Sequence, residues 1–412
     1  MLGTLRARSE ARLARARGDG LARTASEIGG RVLMLALGLL LSPVALAMHV
    51  AGFRRLTFIT DRIGHLAAEP DCFLKACALG ELPGRRWFFL APRQDVANVH
   101  LLSYWEPLIP AVRNPIGCRA IAAMSSLGLM RYDTGRYILG LDKSQDIYHL
   151  NARWRGRPPV LSLTQEDERW GDEMLAALGV PSGAWFACIH VRESGFSPAD
   201  EATHAHRNGS AAAVIPAMEE VVRRGGWCLR MGDPTTRPLP ALPGVIDYAH
   251  HPLRSARLDV VLCAKARFFL GNTSGLALVS SAFGRPSMLA NMVPLSALGV
   301  FAEDISLPKL YRSILEQRVL HFGEVFGTPA ANFRYADQYK RAGIELQENT
   351  AEEIRDGVIE LMDRLDGRAG QSEEDQALQS RFQAMLRPGD YAYGAASRVA
   401  ASFLRRHREL LA

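Results

Sequence analysis

The chain has 412 residues, 48% of them hydrophobic and 22% charged. That is enough for more than one core, and it excludes wholesale disorder and collagen-like or mucin-like character. Its 49 Lys and Arg against 43 Asp and Glu leave a net charge of +6, which taken alone points to an acidic polymer as partner. Residues 1–31, however, hold seven arginines against three acids, so they carry +4 of that total. The remainder is close to neutral and has no Lys/Arg run that would track a phosphate backbone, which argues against nucleic acid.

The first predicted element is hydrophobic. Val32–Phe53 contains no Asp, Glu, Lys or Arg, and about 20 such residues suffice to span a bilayer. Pro43 divides the segment, and arginines flank both sides: Arg23 and Arg31 before, Arg54, Arg55 and Arg62 after. Residues 1–55 are therefore expected to form a basic N-terminus and a membrane-association segment that dips into one leaflet or lies on it, since arginines on both sides leave the positive-inside rule ambiguous. A cleaved signal peptide, with Ala45-Leu46-Ala47 as its cleavage site, and a buried core helix are the competing readings.

Residues 56–165 carry short apolar runs between turn signals and are expected to form an N-terminal α/β domain. Leu56–Thr60 and Trp87–Leu90 read as buried strands. Asp61 and His65 follow the first of them, where ligand loops sit in open α/β sheets. The polar stretch Asn151–Pro159 reads as interdomain chain.

Residues 166–345 alternate strand and helix, which predicts a parallel, doubly wound sheet in a C-terminal α/β domain. Strands are expected at Trp185–Val191, Trp227–Met231, Val245–Asp247, Phe268–Gly271 and, last, Pro286–Ala290; helices at Ser210–Arg223, Arg254–Ala266 and Gly275–Phe283. Residues 346–412 read as charged helices on the outside. Six cysteines lie scattered without a C-x-x-C pair and read as buried thiols in a reducing compartment.

Three strand ends carry the candidate chemistry. His190 and Arg192 close the strongest strand, where a guanidinium fork suits a phosphate. Arg230, Gly232 and Asp233 end the next. Phe268–Gly271 then runs into Asn272, Thr273, Ser274 and Gly275 ahead of a helix. Thr273 or Ser274 can cap that helix, and its free N–H groups make an anion site. The glycine spacing is neither that of a Walker A loop nor that of a dinucleotide fingerprint. Two arginines and a helix N-terminus on one sheet edge point to a nucleotide diphosphate derivative, and no metal-binding cluster is expected.

The segments IHVRESGF, HRNGS, RGGWCLRMGD, VIDYAHHPLRSARLDVVLCAKARFFLGNTSGL and FGRPSMLANMVP resemble a bacterial glycosyltransferase family found with surface-polysaccharide genes. RIGHLA at 62–67 and ANVHLLSYW near residue 100 extend the likeness over residues 55–335. His190-Val191-Arg192 is more distantly similar to the H-x-R motif of fucosyltransferase-type enzymes with the GT-B fold. The chain departs from their H-x-R-x-G-D, with Glu193, Ser194 and Gly195 and no following Asp, so donor identity does not transfer.

The resemblance implies two Rossmann-like domains facing a cleft in a GT-B-like arrangement, 56–165 on the acceptor side and 166–345 binding the nucleotide sugar, with the N-terminal hydrophobic segment at the cytoplasmic face of the inner membrane. It also implies transfer of a sugar from a nucleotide-diphosphate co-substrate to a hydroxyl of a glycan or lipid-linked acceptor, without a metal and with no other cofactor. Arg192, Arg230 and the N–H groups at Ser274 and Gly275 would meet the leaving group's charge. Glu193, His65, Asp61 and His206 (or its neighbour His204) are the candidate general bases. Asp247, Tyr248 and Arg254 are placed at the nucleotide base or ribose. The alternatives are a non-catalytic nucleotide- or sugar-binding subunit of a polysaccharide assembly, or a nucleotide-sugar epimerase.

Overall fold

Gly52, at a φ of +86°, ends the apolar N-terminal segment and turns the chain into its first strand. In the computed structural model, which describes residues 29–138, 145–194, 201, 203–368, 370 and 372–412, the chain divides into two compact units. One takes in the described residues up to Thr57 with Gly84–Asp95 and Leu108–Asp133. The other comprises Phe58–Pro83, Val96–Pro107 and Thr134–Ala412. The basic lead-in at 1–28 lies outside the described residues, as do Gly195 and Phe196 of the motif after His190.

In the first unit β1 (Phe53–Leu56), β2 (Arg86–Leu90), β3 (Ala111–Val112) and β4 (Arg131–Tyr132) form a parallel sheet in the order β3-β2-β1-β4. The first strand therefore starts three residues earlier than the apolar run Leu56–Thr60 predicts. The apolar segment forms two helices that meet next to Pro43, Gly29–Leu40 and Ser42–Val50, bent by 63°. Pro43 sits in the first turn of the second, where it has no N–H to continue the ladder from the first. No single helix among the described residues is long and apolar enough to cross a membrane. Gly38 approaches Ala123 so closely that a Cβ would stand 2.5 Å from its carbonyl oxygen, and Ala45 packs with Met124 and Met130. The other face is bare: Leu33, Leu40 and Val50 are 68%, 76% and 78% exposed.

In the second unit β5 (Phe186–His190), β6 (Trp227–Arg230), β7 (Val245–Ile246), β8 (Phe268–Gly271), β9 (Ser287–Met292), β10 (Ile305–Pro308) and β13 (Arg398–Val399) build a seven-stranded sheet in the order β13-β10-β9-β8-β5-β6-β7. Every pairing is parallel. Strands buried along their length, such as β8 and β9, need helices on both faces. The helices Ile215–Arg223, Ala256–Lys265, Gly275–Ala282 and Ala351–Leu365 lie between and after the strands. The sheet starts in its middle at β5, runs to one edge through β7, then continues on the other side of β5 from β8. Its winding therefore reverses between β5 and β8, and open α/β sheets bind ligands at that reversal. A separate antiparallel ribbon pairs β11 (Leu310–Ser313) with β12 (Ile344–Gln347).

The predicted alternation of strand and helix is present, with two corrections. Pro286–Ala290 marks β9, which is not the last strand, because β10 and β13 extend the sheet beyond it. The C-terminal helices do not lie on the outside: Ile354, Val358, Leu361, Met362, Phe382 and Phe403 are all within 1% of full burial and belong to the main core. All six cysteines are unpaired thiols, and five of them are buried.

Candidate active site

The crevice between β5 and β8 is closed at its floor by backbone. A Cβ on Gly271 would fall on the carbonyl oxygen of His190, so only glycine lets the two strand ends meet. The next residue, Asn272, is 1% exposed. Its Oδ1 accepts the Arg192 N–H at 2.9 Å, and its Nδ2 donates to the carbonyls of Arg207 at 3.0 Å and Arg192 at 3.4 Å. Asn272, predicted to touch phosphate, thus uses its amide to tie β8 to the loop after β5.

That loop returns as a strap at 207–209. Arg207 donates to Thr273 Oγ1 at 3.0 Å and to the Thr273 carbonyl at 2.6 Å. Gly209 donates to the Arg192 carbonyl at 3.0 Å, and the Arg192 Nε donates to Asn208 Oδ1 at 3.2 Å. The nearly buried Lys309 donates to the Asn208 carbonyl at 2.7 Å. The His190 Nδ1 is buried without a partner, and burial beside Arg230 and Arg192 lowers the imidazole's pKa to about 4. His190 is a neutral ring beneath the crevice.

The helix Gly275–Ala282 opens directly above this floor. Ser274 occupies its N-cap position in extended conformation (φ −133°, ψ 158°), but its hydroxyl makes no capping bond and is buried without a partner. Thr273 Oγ1 is held by Arg207. Neither hydroxyl caps the helix, contrary to expectation, and among the described residues its leading N–H groups have no side-chain cap.

Gly275 lies against Gly64, the second residue of the helix Ile63–Ala78. A Cβ on Gly275 would stand 2.7 Å from Ile63 Cγ2 and 2.8 Å from the Gly64 nitrogen. Two helix N-termini converge there, and their dipoles add. His65 is the residue that follows this contact on the helix Ile63–Ala78.

His65 is backed by a residue that the sequence reading passed over. Its Nδ1 is 2.8 Å from Glu69 Oε1, one helical turn on, with Glu69 wholly buried. Glu69 also accepts from the Ile59 N–H at 3.2 Å and from Thr134 Oγ1 at 3.5 Å. Burial raises its pKa against these bonds. The only signal in the sequence is the H-x-x-x-E spacing, which places the two side chains on one helix face.

The other strand-end residues build scaffold. Arg230 is 3% exposed; it donates to Asp247 at 2.9 Å, to the Arg237 carbonyl at 2.9 Å and to Glu193 at 3.5 Å. Asp247 also accepts the Leu239 N–H at 3.0 Å, and Glu193 the Ala211 N–H at 3.3 Å. These three form a buried ionic tie between loops. Gly232, at a φ of +141°, gives its carbonyl to Arg254 Nε at 3.0 Å. Asp233 accepts from Thr235 N–H at 3.0 Å, and that bond holds its pKa below the ordinary value. Tyr248 is fully buried, its hydroxyl against Ser255, and burial raises its pKa.

Among the candidate bases, Asp61 is exposed. His206 sits on the strap, where burial, Arg207 and His204 lower its pKa to about 3; it packs on Tyr339 with ring centroids 5.4 Å apart. The structure thus gathers His190, Arg192, Ser274 and Gly275 at the ends of β5 and β8, with His65 one residue from the Gly64–Gly275 contact. It assigns Arg230, Asp247, Glu193, Asn272 and Tyr248 to the frame around them. Among the described residues no three His, Cys, Asp or Glu side chains converge as a metal cage would require.

No protein-family model and no curated protein matches the chain. The solved structures to which it is similar include the glycosyl transferase family 9 protein from Veillonella parvula (11% identity over 53% of this chain and 60% of that one, TM-score 0.25). They also include the iron-containing dodecameric glycosyltransferase TibC from enterotoxigenic E. coli (16% identity, 59% of this chain and 60% of that one, TM-score 0.35) and the E. coli heptosyltransferase WaaC with ADP (14% identity, 57% of this chain and 86% of that one, TM-score 0.31). The chain thus spans about three fifths of the first two. At these TM-scores no residue role passes from them to this chain. None of the three is a fucosyltransferase by name, so the H-x-R likeness stands on His190 and Arg192 alone.

Proposed function

We propose that the protein is a glycosyltransferase that moves a sugar from a nucleotide-diphosphate donor to a hydroxyl of a glycan or lipid-linked glycan. One observation carries this reading. The Gly64–Gly275 contact sets the first turn of the helix that carries His65, backed by buried Glu69, against a helix N-terminus that no described side chain caps, at the reversal point of a parallel sheet.

In the proposed reaction Glu69 takes the Nδ1 proton of His65 as a hydrogen bond, which leaves Nε2 as the basic nitrogen. Nε2 accepts the proton of the acceptor hydroxyl as its oxygen bonds to the anomeric carbon. The bond from that carbon to the diphosphate breaks, and the electron pair leaves with the nucleoside diphosphate. Arg192 and the N–H groups at the two helix ends meet the developing charge. These cations and dipoles belong to the chain itself, so the step as written draws on no metal. The frame of Arg230, Asp247 and Glu193 holds the loops that present Arg192.

The bent apolar pair Gly29–Leu40 and Ser42–Val50 belongs to the same proposal. Its exposed leucines, preceded by an arginine-rich run, suit insertion into one anionic leaflet at the cytoplasmic face. A lipid-linked acceptor would then be presented at the surface where the enzyme sits.

The test is product formation. Incubated with a panel of nucleotide sugars, the chain releases the nucleoside diphosphate from one of them, and His65→Ala does not. Binding without release by the wild-type chain would instead show a non-catalytic subunit, and an isomerised nucleotide sugar an epimerase.

A further inference from the structure

Folding sorts the charge that the sequence spreads along the chain. The described residues of the first unit hold nine arginines against Asp95 and Asp133, with no lysine or glutamate, while the second unit holds more acids than bases. Gly84–Asp95 and Leu108–Asp133 bring their arginines to the sheet that begins at Phe53. Part of this charge is unmatched on one face of that sheet. In the parallel register Arg55 lies beside Phe88 of β2 and Arg131 of β4, and Phe53 beside Arg86, so Arg55, Arg86 and Arg131 stand on one face. Arg86 and Arg131 are exposed and Arg55 is half-buried. The Arg55 Nε is buried without a partner, and among the described residues no ion pair reaches any of the three. Burial and the like charge of Arg131 lower the pKa of Arg55. The guanidinium carbon of Arg86 stands 5.2 Å from the centroid of the Phe53 ring, which holds it on the same face. Arg54, on the opposite face, behaves as a structural arginine: it donates to the carbonyls of His49 at 2.9 Å and Phe53 at 2.8 Å. Like charges side by side on neighbouring strands repel, and a buried N–H without an acceptor is costly. A phosphate relieves both, because it carries more than one charge and takes guanidinium forks in pairs.

The apolar helix pair indicates where that phosphate comes from. The backbone N–H of Arg86 donates to the carbonyl of Gly52 at 3.0 Å, and Gly52 follows directly on the helix Ser42–Val50, whose last residue is 78% exposed. The arginine face therefore begins where the bare apolar face ends, at the level of the headgroups when the pair lies in a leaflet. We infer that Arg55, Arg86 and Arg131 form a binding site for the terminal phosphate of a membrane lipid. The inference rests on the membrane-bound part of the function proposed above and names the lipid group which that part recognises. The helix pair supplies the anchor, and the arginines choose the headgroup.

The experiment is flotation of the full chain, at about 0.15 M salt, with phosphatidylcholine vesicles of matched surface charge. One set carries phosphatidic acid, which ends in a phosphate, and the other phosphatidylglycerol, whose phosphate is a diester. The chain binds the phosphatidic acid vesicles roughly tenfold more tightly, as further charge-assisted hydrogen bonds dictate. Arg131→Glu and, independently, Arg86→Gln remove that preference; both are changes at exposed positions. Arg119→Glu makes the same change of charge as Arg131→Glu at an exposed position of the helix Pro115–Ser125 in the same unit. It weakens binding to both vesicles alike and keeps the preference. Equal binding to the two vesicles, a preference that survives in Arg131→Glu or Arg86→Gln, or one lost equally in Arg119→Glu overturns the assignment. Release of the chain from phosphatidic acid vesicles by millimolar inorganic phosphate overturns the lipid as the source of the group. Failure of every nucleotide sugar to bind while the lipid preference stands would instead overturn the donor-site reading and leave this site in place.

Discussion

His65 and Glu69 stand one turn apart on the helix Ile63–Ala78, and the pair makes a prediction at the scale of single residues. Loss of the base in His65→Ala lowers transfer by about 10²–10⁴-fold while donor binding persists. Glu69→Gln keeps the hydrogen bond's geometry but removes the charge behind Nδ1, so the pH–rate profile moves as well as its height. A fall in height with an unmoved profile would make Glu69 a structural residue only. Asn272 is the second case. Asn272→Ala removes the acceptor of the part-buried Arg192 N–H and a donor to the Arg207 carbonyl, at about 1 kcal/mol for each bond lost, so the urea midpoint falls even without ligand.

The buried histidines set a pH dependence. His190 and His206 titrate near 4 and 3 in the folded chain, against about 6.5 when unfolded. The unfolded state therefore binds more protons between those limits. Their contribution is fully present above about pH 6.5 and is lost as pH falls toward 4. Between pH 7 and pH 5, His206→Gln should lose less stability in urea melts than the wild type; an equal loss would contradict the assignment. At this scale the sequence shows which residues end strands, but not what they meet. Arg230 reads like Arg192 until Asp247, 17 residues on, is seen beside it.

At the scale of elements, the Gly64–Gly275 contact is the joint on which the site depends. Gly275→Ala puts a methyl within 2.7–2.8 Å of Ile63 and Gly64. Overpacking of that kind costs about 1–3 kcal/mol, and here it also separates His65 from the helix end. Catalysis should fall further than stability does, measured as turnover against urea midpoint; parallel loss would contradict the positioning role. The alternation of strands and helices in 184–292 is legible because each apolar run is short and bounded by glycine or proline. The misplaced first strand has a physical cause. Phe58 is buried as loop, edge-on to Phe73 at 6.0 Å, and the backbone N–H of the half-buried Ile59 is taken by Glu69 instead of a neighbouring strand. The C-terminal helices misread because their many charges mask an Ile354–Val358–Leu361–Met362 stripe at helical spacing. That stripe covers a sheet whose last strands lie far away in sequence.

At the scale of the whole molecule, the charge distribution and the bare N-terminal pair make one prediction together. The full chain floats with vesicles containing anionic lipid, and a chain starting at residue 54 does not; equal behaviour of the two would remove the membrane from the account. The central claim is tested most directly by thermal melting of the full chain with UDP-, GDP-, CDP-, TDP- and ADP-sugars, in the wild type and in Arg192→Ala. A ligand that binds only the folded state at about a hundred times its Kd adds about 2.7 kcal/mol. The account predicts that at least one of these compounds raises the wild-type transition and that Arg192→Ala abolishes the rise. A wild-type transition unmoved by every compound, or a rise that survives in Arg192→Ala, would contradict it.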